Sequence, residues 1–224
     1  MTRMKHALAR WPIEASRMLQ LAHLSTRLAQ YRPQRRYASY ALRLAAVALI
    51  VREHPERGLE VLMIERSHRK GDPWSGHMAF PGGVSERCDV NPLATAWRET
   101  KEETSIDLRE LRCLGHLSEL RTHTRQRGAH ASLRIRPYVF SVNLPLSIQL
   151  NHEAVDSIWL PLNYLADSAN REHMQWRWKG RDVPLPCYHY QEKRVWGLSL
   201  QMLDELLEVL GWHQRKALRH PAPR

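Results

Sequence analysis

Apolar residues recur at helical spacing from Ile13 to Leu28 (Ile13, Met18, Leu19, Leu21, Leu24, Leu28) with arginines between them, which predicts an amphipathic helix. Tyr31-Arg-Pro-Gln-Arg-Arg36 then breaks it. The near-continuous apolar run from Ala45 to Val51 reads as a buried strand and Glu60 to Glu65 as a second. The turn residues of His54-Pro-Glu-Arg-Gly58 make the two a hairpin. Between Arg66 and Gly83 stand Gly71, Asp72, Pro73, Ser75, Gly76, Pro81, Gly82 and Gly83, so many breakers that a structured loop is expected. Asn91-Pro92 fits an N-cap followed by proline in the first helical position, and Leu93 to Thr104 continues without a breaker. Downstream, Cys113 to Leu120, Leu133 to Val142 and Val155 to Leu160 read as strands, with a polar, glycine-containing loop at Arg121 to His130. Leu162 to Ala166 reads as a short helix, Pro186 to Gln191 as a short strand and Leu198 to Leu210 as a closing amphipathic helix.

With 224 residues the chain accommodates one generous domain, or one domain with an appendage. The run from Leu44 to Val51 is far short of the roughly 20 apolar residues that span a bilayer, so no membrane association is expected. Cys88, Cys113 and Cys187 are odd in number and lack close metal-ligand spacing, and no charged start followed by an apolar stretch suggests secretion. A reducing, cytoplasmic setting is expected.

Charge redraws this picture at the N-terminus. The net charge of +11 is unevenly spread: residues 1–43 hold nine Lys or Arg against Glu14 alone, a net +8, which leaves +3 for the remaining 181 residues. The expected organisation is a basic helical extension over 1–43, docked or loosely attached, a main domain over 44–213 and a basic tail over 214–224. An Arg-rich, acid-poor start also fits an organelle transit peptide, which would make the protein mitochondrial. Because the excess charge belongs to the extension rather than to the domain, nucleic acid is not the expected partner.

On the helix after Asn91 the sequence runs Arg98-Glu99-Thr100-Lys101-Glu102-Glu103. At about 100° per residue its three carboxylates share one face, where like charges repel by a few tenths of a kcal/mol per pair. A solvated acidic face is the ordinary explanation of such a run. A hard cation such as Mg²⁺ or Mn²⁺, which takes carboxylate oxygens and keeps waters for a phosphate-bearing ligand, is the alternative.

Context favours the cation. Gly83-x5-Asp89-x8-Arg98-Glu99-Thr100-x-Glu102-Glu103-x-Ser105-Ile106 closely resembles the Nudix box. It departs from the usual pattern in Asp89 for the first Glu, one extra residue before Arg98, Thr100 at the apolar position and Ser105 for the last Gly. A narrower resemblance links Glu65-Arg66-Ser67 and Gly71-Asp72-Pro73-Trp74-Ser75-Gly76-His77-Met78-Ala79-Phe80-Pro81-Gly82-Gly83 to the coenzyme A pyrophosphatase branch. Here the chain has one residue more between Ser67 and Gly76, and His77-Met78 where that branch has Gln-Val. Together with Asn151-His152-Glu153 to Leu162 and Val195-Trp196-Gly197-Leu198, the likeness extends over about residues 44–210.

The resemblance implies an α/β fold, the Nudix-type α/β/α sandwich with a mixed sheet, here carrying the N-terminal helical extension. It implies Mg²⁺- or Mn²⁺-dependent hydrolysis of a nucleoside diphosphate-linked compound, with coenzyme A or acyl-CoA as leading substrate. The products would be 3′,5′-ADP and (acyl-)4′-phosphopantetheine. Carried over position by position, Glu99 and Glu103 match the metal-holding carboxylates, and Glu102 matches one that binds a further ion or activates water. The Gly82 carbonyl matches a main-chain ligand, Glu153 a distal carboxylate, and Arg98 the residue that orients the carboxylate set. Arg66, Arg69 and Arg125 are candidate phosphate-gripping residues, since guanidinium groups pair with phosphate in bidentate fashion. ADP-ribose, nucleotide sugars and (d)NTPs are alternative substrates, a non-catalytic nucleotide- or RNA-binding module is the rival class, and a homodimer is compatible with all of these.

Overall fold

The structure, a computed structural model, describes residues 20–34, 43–69, 74–126, 129–143, 145–178 and 180–212. Residues 13–19 of the expected first helix and the 214–224 tail lie outside them. The central strand β1 (Arg43–His54) pairs antiparallel with β2 (Gly58–Arg66) and parallel with β7 (Ala129–Val142), from Arg43 opposite Leu133 to Arg52 opposite Val142. Around this trio lie the two-residue β3 (Met78–Ala79) on β2 and β4 (Gly82–Val84) on β1. β5 (Arg112–His116) and β6 (Leu120–Gln126) pair with β7, and β8 (Ala154–Pro161) with β2, completing a mixed eight-stranded sheet. β9 (Glu172–Trp178), β10 (Arg181–Tyr190) and β11 (Lys193–Trp196) form a separate antiparallel sheet.

Helices cover both faces of the main sheet. On one face, α2 (Pro92–Thr104) sets Ala96 against Ala46, Ala48, Ile50 and Phe140. On the other, α1 (Gln20–Gln30) and α4 (Gly197–Leu210) bury Leu24, Leu28, Leu203 and Leu206 with Ala45, Leu49 and Val139. Alternation along β1 explains the division, because successive side chains point to opposite faces and both faces are covered. A short helix, α3 (Leu162–Ala166), follows β8. The arrangement is the expected α/β/α sandwich with a mixed sheet.

Three readings of the sequence are corrected. The loop expected from Arg66 to Gly83 contains β3 and β4, because Met78 and Gly82 bring backbone alongside β2 and β1 despite the many breakers. The loop expected from Arg121 to His130 is a hairpin of β6 and β7. Its alternation of Thr122 and Thr124 with Arg121, His123 and Arg125 is a strand pattern. The second sheet is also larger than the single strand Pro186–Gln191: Pro184 and Pro186 sit within β10, and β9 and β11 flank it.

The helix of the basic extension is built into the core. Leu24 is fully buried and Leu28 is 5% exposed. The Arg27 Nε donates to the Val209 carbonyl at 2.8 Å, and the Tyr31 hydroxyl donates to Glu205 at 2.6 Å. Leu24→Ala should therefore cost about 2–5 kcal/mol of stability through lost burial and a residual cavity. Chemical denaturation should show that loss with kcat unchanged at temperatures where the variant is folded.

Candidate active site

Asn91 starts α2 where the sequence predicts: its side-chain oxygen accepts from the Ala94 N–H at 2.9 Å, and Pro92 occupies the first turn. The helix stops at Ser105, which adopts φ 62, the left-handed conformation that the usual glycine of the box would take without a side-chain penalty. Between these ends, Arg98, Glu99, Glu102 and Glu103 fall on the turns nearest β4. The glycines of β4 make the approach possible. A Cβ on Gly82 (φ 142) would overlap the Ala46 carbonyl, and one on Gly83 would overlap the Glu99 carboxyl group.

Arg98 contacts three carboxylates. Its Nε and Nη2 grip Asp89 at 3.1 and 3.0 Å in a bidentate pair, while Nη2 also lies 3.0 Å from Glu99 and Nη1 3.2 Å from Glu102. The Arg98 guanidinium holds the Asp89 carboxyl down at about 2, helped by the Glu86 N–H and the Thr95 hydroxyl. Asp89, which stands for the first Glu of the box, was given no role from sequence. The turn ahead of α2, in which the Asp89 side chain accepts from the Glu86 N–H at 2.9 Å, accommodates the extra residue and presents Asp89 to Arg98.

Glu103 is 2% exposed, and its Oε2 accepts from the Gly82 N–H at 2.8 Å. Burial pushes its carboxyl up to about 7, with Glu99 and Glu153 adding to the rise and the Gly82 N–H and Arg66 opposing it. Burial likewise raises Glu99 against the pull of Arg98, and Glu102 and Glu153 raise it further. Glu153, distant in sequence, thus shares the site electrostatically. The site contact seen at Gly82 is an N–H donated to Glu103, alongside the carbonyl inferred from sequence.

The rim comes from the segment before the box. The Arg66 N–H donates to the His77 carbonyl at 3.0 Å and the Ser67 N–H to the Glu153 carbonyl at 2.8 Å. The Arg69 Nη1 donates to Glu153 Oε1 at 3.0 Å. Arg66 and Arg69, the candidate phosphate-gripping residues, thus lie near Glu103 and Glu153 respectively. Arg125 falls on β6 and its side chain lies outside the described residues.

The carboxylates fit a divalent cation in chemistry, though not as a finished cage. Hard oxygen donors face one another, one of them buried and destabilised as an anion, which a cation would relieve. Among the described residues, however, no three His, Cys, Asp or Glu side chains stand together as a ready metal-ligand group. Glu102 is paired with Arg98 at 3.2 Å and Glu153 with Arg69 at 3.0 Å, so a cation would exchange these guanidinium contacts for its own.

The Nudix domain model matches residues 41–179. The chain belongs to the Nudix family. It is a Nudix pyrophosphohydrolase, of a family that generally uses divalent metals such as Mg²⁺ or Mn²⁺. The Nudix hydrolase NudL of Salmonella paratyphi B is 26% identical over 195 residues, covering 86% of this chain and 96% of that protein. NudL of Photorhabdus laumondii is 27% identical over 135 residues, 60% of this chain and 68% of that one. An uncharacterised protein of Schizosaccharomyces pombe is 42% identical over 105 residues, 46% of this chain and only 32% of its own length. Among solved structures, a MutT/nudix family protein from Enterococcus faecalis superposes with a TM-score of 0.47 at 19% identity, over 92% of this chain and 81% of that one.

Asp89 supplies a pH test. Its folded pKa lies below the ordinary 3.8, so its pair with Arg98 stabilises the fold above that value and is lost as pH falls toward 2. Asp89→Asn should be less stable than the parent by a constant margin above about pH 5. The margin should shrink through the pH 4–2 window in denaturation curves, about the interval between the two pKa values. A margin that persists to pH 2 would remove the ion pair as its cause.

Proposed function

We propose that this Nudix hydrolase cleaves the diphosphate of coenzyme A or an acyl-CoA, with Mg²⁺ or Mn²⁺ as cofactor, to give 3′,5′-ADP and (acyl-)4′-phosphopantetheine. The observation that supports the reading is that the two ends of the segment that resembles the coenzyme A pyrophosphatase branch meet the carboxylates: Arg66 is in electrostatic reach of Glu103, Arg69 pairs with Glu153, and the Gly82 N–H donates to Glu103.

Glu99 and Glu103, with Glu102, Glu153 and the Gly82 carbonyl, would hold the cation. When bound, it would offset the charge of the diphosphate and lower the pKa of a coordinated water. Glu102, the most exposed of the helix carboxylates at 54%, would accept a proton from the attacking water. Arg98 fixes this carboxylate set while Asp89 fixes Arg98, so the helix face keeps its geometry when substrate arrives. Arg66 and Arg69 pair with phosphate oxygens at the rim. In the hydrolysis the oxygen of one water joins a phosphorus, the bridging P–O bond breaks, and the water's hydrogens leave as protons to the products and solvent.

Glu103→Gln should lower kcat by about 10²-fold or more while the fold persists, because a neutral isostere replaces a ligand to the charge-stabilising cation. Wild-type turnover by this variant at saturating Mg²⁺ would remove the helix face as the metal site.

Substrate choice is tested by a panel of CoA, ADP-ribose, NADH, nucleotide sugars and dNTPs with Mg²⁺ or Mn²⁺, the products separated by chromatography. CoA should show the highest kcat/KM and release 3′,5′-ADP. Dephospho-CoA should be turned over less well, since it lacks the 3′-phosphate that a guanidinium would grip. A higher kcat/KM for any other panel member would overturn the choice.

A further inference from the structure

The three-stranded sheet of β9, β10 and β11 has one face that neither core uses. Its pairing puts Met174 opposite Leu185, Trp176 opposite Val183 and Trp196 opposite Cys187, all six on one side. The other side buries Tyr188 and Val195 with α4 in the main core. Met174, Trp176, Val183, Leu185 and Trp196 are all half-buried. Among the described residues, none of these five belongs to either core cluster or packs against one. Part of their shelter is mutual, since the Trp176 and Trp196 rings lie 4.8 Å apart, and Cys187 opposite Trp196 on the same face is fully buried. An apolar face of this kind, left at the surface, marks a binding surface.

Its position says for what. The Trp196 ring is also 4.8 Å from the His77 ring, edge to face. His77 lies five residues before Gly82, whose N–H donates to Glu103, and its carbonyl accepts the Arg66 N–H at 3.0 Å. Lys193, which begins β11, bridges Glu65 at 2.7 Å and Asp156 at 2.6 Å, fastening the small sheet to the strands that lead into the site. The apolar face is thus continuous with the rim of the active site through a single ring.

We propose that this face receives the acyl chain of an acylated coenzyme A, so that the enzyme prefers the thioester to the free thiol. The inference rests on the coenzyme A reading above and adds to it which form of the substrate the protein selects. A diphosphate seated on the carboxylates leaves its non-nucleoside arm to run outward. A chain end laid along Trp196, Leu185 and Trp176 leaves water at little cost, because rigid aromatic rings lose little freedom on contact.

Two measurements test this with the full-length protein. First, kcat/KM is compared for CoA, butanoyl-CoA, hexanoyl-CoA and octanoyl-CoA. A methylene buried to half its surface contributes a factor of about two, so the four that separate butanoyl-CoA from octanoyl-CoA should raise kcat/KM by about 15-fold. Leu185→Gln should flatten that gradient to within about twofold. Second, 8-bromooctanoyl-CoA is bound in the absence of divalent metal and tryptophan fluorescence is recorded. The bromine should quench it, unbrominated octanoyl-CoA should not, and Trp176→Phe with Trp196→Phe should remove most of the quenching while keeping the face apolar.

CoA hydrolysis with no chain-length gradient and no bromine quenching would reject the acyl site and leave the coenzyme A reading intact. No hydrolysis of CoA or any acyl-CoA alongside turnover of another nucleotide would reject both. Quenching that persists in the double Phe variant would move the chain to another surface and overturn the proposal. So would a solution dimer that Leu185→Gln converts to monomer without changing the gradient, because a second copy of the chain would then own the face.

Discussion

Burying the Glu103 carboxylate beside Glu99 sets a cost that α2 cannot offset alone, and much of the surrounding structure is arranged about it. A carboxyl group removed from water resists ionising, and two further carboxylates within electrostatic reach strengthen that resistance. The Gly82 N–H meets one oxygen. That contact exists because β4 runs against β1 closely enough to forbid a side chain on Gly82. Arg98 then neutralises the more exposed carboxylates, and Asp89 prevents that guanidinium from collapsing onto any one of them. What remains is a site whose charge is balanced at its edge and unbalanced at its centre, which is the condition for drawing in a cation and an anionic substrate together.

Much of this was legible in the chain, for local reasons. Asn91, Pro92 and the breaker-free run to Thr104 specify α2 through its own caps and propensity, so the spacing of the acidic residues could be placed on one face. The glycine pair was equally visible, since its role is set by close approach. The partnerships across the fold were not. Arg69 and Glu153 are 84 residues apart, and nothing in either neighbourhood announces the other. Asp89 could have been found: an acidic residue nine positions before an arginine, just ahead of a capped helix, is a candidate clamp. Thr100 shows a different limit. It stands at the apolar position of the box, is fully buried, and its hydroxyl has no hydrogen-bond partner among the described residues, a cost that only packing reveals.

The misread elements share a cause as well. β6 carries charge and hydroxyls in alternation, and β10 carries two prolines, so their composition resembles loop while their period is that of strand. Pairing decides such cases. β7 is long enough to provide β6 with a partner from Leu120 to Gln126, and β10 tolerates Pro184 and Pro186 because they pair with β9 alone, β11 being paired only with Cys187 to Tyr190, so their other side is a sheet edge that needs no N–H. β3 and β4 are shorter than any window from which a period can be read, yet they place the glycine pair against β1.

The same logic separates the two appendages to the matched domain. α1 begins upstream of the matched residues and β11 and α4 lie beyond them, yet α1 and α4 close one core together through Leu24, Leu28, Leu203 and Leu206. Side chains that complete a core are explained by that core. The outer face of β9 to β11 has no such explanation, because the helix that buries Tyr188 and Val195 lies on the opposite side of the sheet. A fold that needed the small sheet only as a cap for α4 would have no physical reason to place two tryptophans on the water side of it. Trp196 packs on His77 and Trp176 on Trp196, so that surplus apolar surface runs from the small sheet to the segment that leads into Gly82.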